Sequence, residues 1–85
     1  MKLFYVDLVR DGRIGLIAGP FPSEAIARKY EQAAFNAAAE IDPWVAFDRY
    51  GVIALPAEDY CRPGKVNHLI DIEPADLVAM NGAIQ

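Results

Sequence analysis

Val9-Arg10-Asp11-Gly12-Arg13-Ile14 and Asp48-Arg49-Tyr50-Gly51-Val52-Ile53 spell one phrase twice: an arginine, a glycine two residues on, and an isoleucine two after that. Each phrase lies between apolar runs rich in β-branched and aromatic residues, the pattern of strand, turn and strand. An alanine-rich stretch with helical spacing separates the copies. This reading predicts an α+β chain ordered as β-hairpin, helix, β-hairpin. The sheet is expected to have four antiparallel strands, with one long helix on one face and a C-terminal extension holding a short strand or short helix.

Register follows from the turn. A two-residue Asp11-Gly12 turn would set Arg10 opposite Arg13, a like-charge pair that disfavours it. A three-residue loop, Arg10-Asp11-Gly12, pairs Val9 with Arg13, Leu8 with Ile14, Val6 with Leu16 and Phe4 with Ala18. It gathers the apolar side chains on one face, because side chains alternate along a strand. The same construction on Arg49-Tyr50-Gly51 pairs Phe47 with Ile53 and Val45 with Leu55.

Between the hairpins, Ser23 is suited to cap a helix that runs to about Ile41, where Asp42-Pro43 stops it. A 100° wheel puts Ile26, Tyr30, Ala33, Ala37 and Ile41 in one stripe facing the sheet. Phe35 falls opposite that stripe. The second sheet face, expected to carry Leu3, Tyr5, Val9, Ile17, Trp44, Ala46, Val52 and Ala54, needs a cover. Either the C-terminal third folds across it or another chain does. Residues 1–85 are expected to form one domain, with a ββαββ core over 1–55 and a loop-rich extension over 56–85.

Composition narrows the function classes. The chain is 54% hydrophobic and 24% charged, values of a folded domain rather than a disordered one. A net charge of −4 argues against broad affinity for phosphate backbones or anionic membranes. Direct nucleic-acid binding is therefore not expected, although Arg10, Arg13, Arg49 and Tyr50 would meet at the hairpin tips. Cys61 is the only cysteine, so an internal disulfide is impossible and a cytoplasmic location is the simpler expectation.

Gly19-Pro20-Phe21 before an alanine-rich helix, followed by Asp42-Pro43, Phe47 and Tyr50-Gly51, resembles small proteins of proteobacterial phages, plasmids and integrated elements. The resemblance covers about residues 3–55. It implies a mobile-element accessory protein and carries over no catalytic residues.

Chemistry-bearing residues are sparse. Cys61 and His68 are the only thiol and the only imidazole. A small enzyme using that pair is one alternative, but no oxyanion site accompanies them and their spacing fixes no distance. The carboxylates are scattered, without the paired geometry of a hydrolase. Their more specific use is an acidic surface at Glu58, Asp59, Asp71 and Glu73, with Asp76 expected to cluster beside them. Such a surface would suit an inhibitor of a host nucleic-acid-binding defence complex. The leading expectation is a non-catalytic protein-interaction module, needing no cofactor or metal, with an unidentified protein partner and a possible homodimer. Tyr5, Phe35, Trp44 and Tyr50 are the aromatic interaction candidates, beside the four acidic residues.

Overall fold

The computed structural model describes residues 2–57 and 62–78. Strands β1 (Lys2–Arg10) and β2 (Arg13–Phe21) form a hairpin, then come helices α1 (Glu24–Lys29) and α2 (Glu31–Ile41). A short 3₁₀ turn (Pro43–Phe47) leads into β3 (Arg49–Pro56), and two more 3₁₀ turns, Asn67–Leu69 and Pro74–Asp76, follow. The sheet is antiparallel with three strands in the order β2-β1-β3. The fold is α+β, but among the described residues there is no fourth strand, and two helices stand where a single long one was expected.

The missing strand is the stretch from Val45 to Asp48. Asp42 accepts a hydrogen bond from the Trp44 N–H at 3.0 Å, and Pro43 occupies the first position of the turn. A capping carboxylate followed by proline starts a helical turn as readily as it stops the preceding helix. Arg49, Tyr50 and Gly51 are therefore not a loop. They lie within β3 and pair with Val9, Leu8 and Asp7 of β1. β1 itself supplies the partner that a second hairpin would have provided.

The first hairpin also corrects the expected register. Arg10 pairs with Arg13, so the turn is the two-residue Asp11-Gly12, with φ of 50° and 77°. Positive φ at both central residues is the type I′ geometry that matches strand twist. The like-charge objection fails because Arg10 is neutralised from elsewhere. Its Nε and Nη2 reach both oxygens of Asp48 at 2.8 Å, and Nη2 also reaches Asp42 at 3.1 Å. Two bulges then restore the apolar facing that a two-residue turn would have lost. The register slips between Val6 and Asp7, leaving Ile17 extra, and again between Phe4 and Val6. Ile17 thereby joins the core instead of the opposite face.

The helix breaks at Tyr30, whose φ and ψ are −102° and 2°. Ser23 caps α1 as expected, accepting from the Ile26 N–H at 3.2 Å. The break rotates the buried stripe to Ala27, Tyr30, Ala34, Ala37 and Ala38, leaving Ala33 and Ile41 exposed. Tyr30 stacks on Phe21 with centroids 5.2 Å apart. Under the helices lie Phe4, Val6, Leu8, Ile17, Phe21 and Val52, with small alanines allowing close approach. Val52 and Ala54 pair with Val6 and Phe4, so they lie on the helix side rather than on the second face. Ile53 and Leu55, expected toward the helix, lie on the reverse side with Tyr5 and Leu3.

The segment after residue 61 covers part of that reverse face. The Tyr5 hydroxyl donates to the Arg62 carbonyl at 2.7 Å. From there the chain rounds the outer edge of β2, with Gly64, Lys65 and Val66 N–H groups donating to Gly19, Leu16 and Ile17 carbonyls at 2.8–3.2 Å. Val66 ends buried in the core on the helix side.

Candidate functional site

Among the described residues, four of the six exposed large apolar side chains (Ile14, Ile41, Trp44 and Phe47) lie around the 3₁₀ turn and the β1–β2 turn. Residues three apart eclipse each other on a 3₁₀ turn. Trp44 and Phe47 therefore project side by side, 5.9 Å between ring centroids, while Val45 points inward and is buried. Trp44 is 70% exposed and Phe47 81%. Ile41 and Ile14 add two more exposed apolar side chains nearby.

This end is held firmly. The Asp42 cap, the Val45 anchor and the Arg10 fork onto Asp48 and Asp42 tie the 3₁₀ turn to β1. Bidentate pairing fixes orientation as well as distance. The hydrogen bonds from Arg10, to Asp48 first and then Asp42, hold its guanidinium above its ordinary pKa. On one side of this fork an open groove of about 670 Å³ runs between Val9, Gly12, Trp44 and Phe47. On the other, a second of about 760 Å³ is bounded by Ile14, Ile41, Val45 and Val66. Arg13 and Arg49 are exposed around these grooves and make no ion pair among the described residues.

The other candidates separate widely. Tyr5 is wholly buried, its ring against Gly19, and is no contact surface. Phe35 is half-buried and packs on Tyr50, with centroids 4.4 Å apart, while Tyr50 itself stays 42% exposed on β3. Asp71 and Glu73 are exposed, whereas Glu58, Asp59 and Cys61 lie outside the described residues. Asp76 is engaged by the Tyr30 hydroxyl and by Lys29 at 3.0 Å, which hold its carboxyl below the usual range. His68 is exposed. Among the described residues no three His, Cys, Asp or Glu side chains gather as they would around a metal ion.

Phe47, Ile41 and Ile14 were all expected in the core, so sequence reasoning missed most of this end. The available signal was Asp42-Pro43, which marks the start of a turn as well as the end of a helix. Among the described residues no helix is long and apolar enough to cross a membrane. Comparison with known protein families, with curated proteins and with solved structures gives no significant match.

Proposed function

We propose that this chain is a non-catalytic protein-interaction module that docks through the Trp44–Phe47 end. One observation carries the reading: two large aromatic side chains stand side by side in water on a rigidly capped turn. Exposed aromatics on a preorganised element are the residues that anchor protein interfaces, because little ordering entropy remains to be lost on binding. The partner chemistry follows from the surroundings. Arg10 is shared by Asp42 and Asp48, and the exposed Arg13 and Arg49 stand beside the exposed Asp11, so the charges around the two grooves balance. An apolar cleft with a rim of mixed charge is the complementary surface. A phage or mobile-element accessory role is the setting that the resemblance of residues 3–55 implies.

Trp44 is the only tryptophan, so its fluorescence reports this end alone. The expected emission is that of a solvated indole, moving to shorter wavelength when a captured partner is added back in pure form. Capture from a host lysate should succeed with the native chain and fail with a Trp44→Ala, Phe47→Ser variant. That variant should lose no more than about 0.5 kcal/mol of stability, as exposed side chains do. Equal capture by both chains would refute the reading.

A further inference from the structure

The two edges of the sheet are not equivalent. The outer edge of β2 is covered by Gly64, Lys65 and Val66, while β3 makes no backbone hydrogen bond on its outer side among the described residues. An unpaired strand is a template for another strand, and folded proteins usually protect it with central charges, an internal proline or a covering segment. β3 carries them only at its two ends, Arg49 and Pro56, and from Tyr50 to Leu55 it has neither charge nor proline. Its side chains flank the open backbone on both faces: Tyr50 and Val52 with Phe35 on the helix side, Ile53 and Leu55 on the reverse.

We propose that β3 pairs antiparallel with the β3 of a second copy, giving a six-stranded sheet about a two-fold axis. Self-complementarity argues for that occupant over a foreign strand. Two copies related by an axis perpendicular to the sheet keep their helices on the same side, so only residues of the same face pair. The axis then passes through a residue that faces its own copy. Centring it on Val52 or Ile53 uses nearly the whole strand. Centred on Val52, Tyr50 faces Ala54 and Arg49 faces Leu55; centred on Ile53, Gly51 faces Leu55 and Val52 faces Ala54. Neither arrangement places like charges opposite each other, although the chain carries a net charge of −4. The seam joins the uncharged stretch from Tyr50 to Leu55, in which Tyr50 and Ala54 are exposed and Val52, Ile53 and Leu55 half-buried, to its own image, as an isologous interface requires. A chain this short has a small core, and pairing would add burial that one copy lacks.

Sedimentation velocity across micromolar concentrations tests this directly. The native chain is expected at twice its 9.3 kDa mass, and Ile53→Lys at the monomer mass with an unchanged far-ultraviolet spectrum. Ala54 is exposed in the single chain, so Ala54→Lys disrupts the seam even if Ile53→Lys fails to fold. The Trp44→Ala, Phe47→Ser variant should remain dimeric, which separates this seam from the docking end. A native chain monomeric at 100 µM, taken as roughly the upper end of useful affinities, would overturn the proposal. So would a dimer that survives Ala54→Lys, or one that dissociates with the aromatic variant alone.

Discussion

The β2 edge and the β3 edge belong to one three-stranded sheet, yet among the described residues one is finished and the other left open. Along β2 an irregular segment does the work of a strand. Gly64, Lys65 and Val66 donate to β2 carbonyls, and Asn67 clamps Gly19 by accepting from its N–H at 3.0 Å and donating to its carbonyl at 2.5 Å. Val78 adds a further bond to the Pro20 carbonyl. Along β3 the neighbours are side chains rather than backbone, chiefly the Phe35–Tyr50 pair. The difference teaches that sheet closure needs satisfied backbone groups, not regular strands. It also leaves β3 as the edge available to a second copy.

The contrast breaks most completely at Gly64. A Cβ there would stand 2.3 Å from the Ala18 Cα and 2.6 Å from the Ile17 carbonyl oxygen. Both are backbone atoms of β2, so no side-chain rotation relieves the clash. Gly64→Ala should push the segment off the edge and forfeit its hydrogen bonds, a loss of about 3 kcal/mol by urea unfolding. The detached edge should then pair promiscuously, seen as concentration-dependent aggregation. A fully stable Gly64→Ala chain would mean that the segment is not seated on β2.

A smaller effect is expected at Asn67. Truncation to alanine leaves the β2 segment otherwise intact but removes both bonds to Gly19, for about 1–2 kcal/mol. Asn67→Asp is the sharper form, because a carboxylate can accept from the Gly19 N–H but cannot donate to its carbonyl. Its second carboxylate oxygen would stand against the Gly19 carbonyl oxygen where the donor stood, so its stability should fall below that of Asn67→Ala, and amide exchange at Gly19 should follow that order. Exchange along β3 should not change if the two edges are independent.

The same contrast explains what was legible in the sequence. The alternation from Leu3 to Val9 and the Asp11-Gly12 pair identify the hairpin, and Ser23 locates the helix start. The length of the hairpin's turn is not legible, because the Arg10–Arg13 repulsion is relieved by Asp42 and Asp48, more than thirty residues away. Local spacing contains no such information. Asp48 to Ile53 repeats the hairpin phrase but forms a strand, since β1 offers a free edge that a local turn cannot outcompete. The stripe through Ile26 and Ile41 assumed an unbroken helix, whereas Tyr30 leaves helical geometry as it stacks on Phe21 and hydrogen-bonds Asp76. Nothing in the pattern of Arg62 to Asn67 signals strand-like pairing, because its partner groups are all backbone. The exposed aromatics followed the same logic: Trp44 and Phe47 face water once their segment is a turn rather than a strand.

The smallest effect lies midway between the edges, at Asp7. It is 8% exposed, pairing with Leu16 on one side and Gly51 on the other. Burial raises its carboxyl above the ordinary value of 3.8, while hydrogen bonds from its own N–H and that of Gly51 pull it back. A raised value means that the folded chain holds this proton more tightly than the unfolded chain. Stability from Asp7 therefore rises as pH falls through its folded value toward 3.8, and levels off below. Asp76 behaves oppositely, since the Tyr30 hydroxyl and Lys29 lower its value; its contribution is lost as pH falls below 3.8 through the folded value. The two windows lie on either side of one pH, so a downward titration should gain stability before losing it. Asp7→Asn should be more stable than native at neutral pH and lack the initial gain, while keeping the later loss. Urea midpoints between pH 7 and pH 3, spanning both sides of the ordinary carboxylate value, resolve the two phases. An Asp7→Asn chain weakened at neutral pH, with faster amide exchange at Gly51, would show the carboxylate bond to β3 outweighing the cost of burial. The open edge would then depend on Asp7 for part of its hold on the sheet.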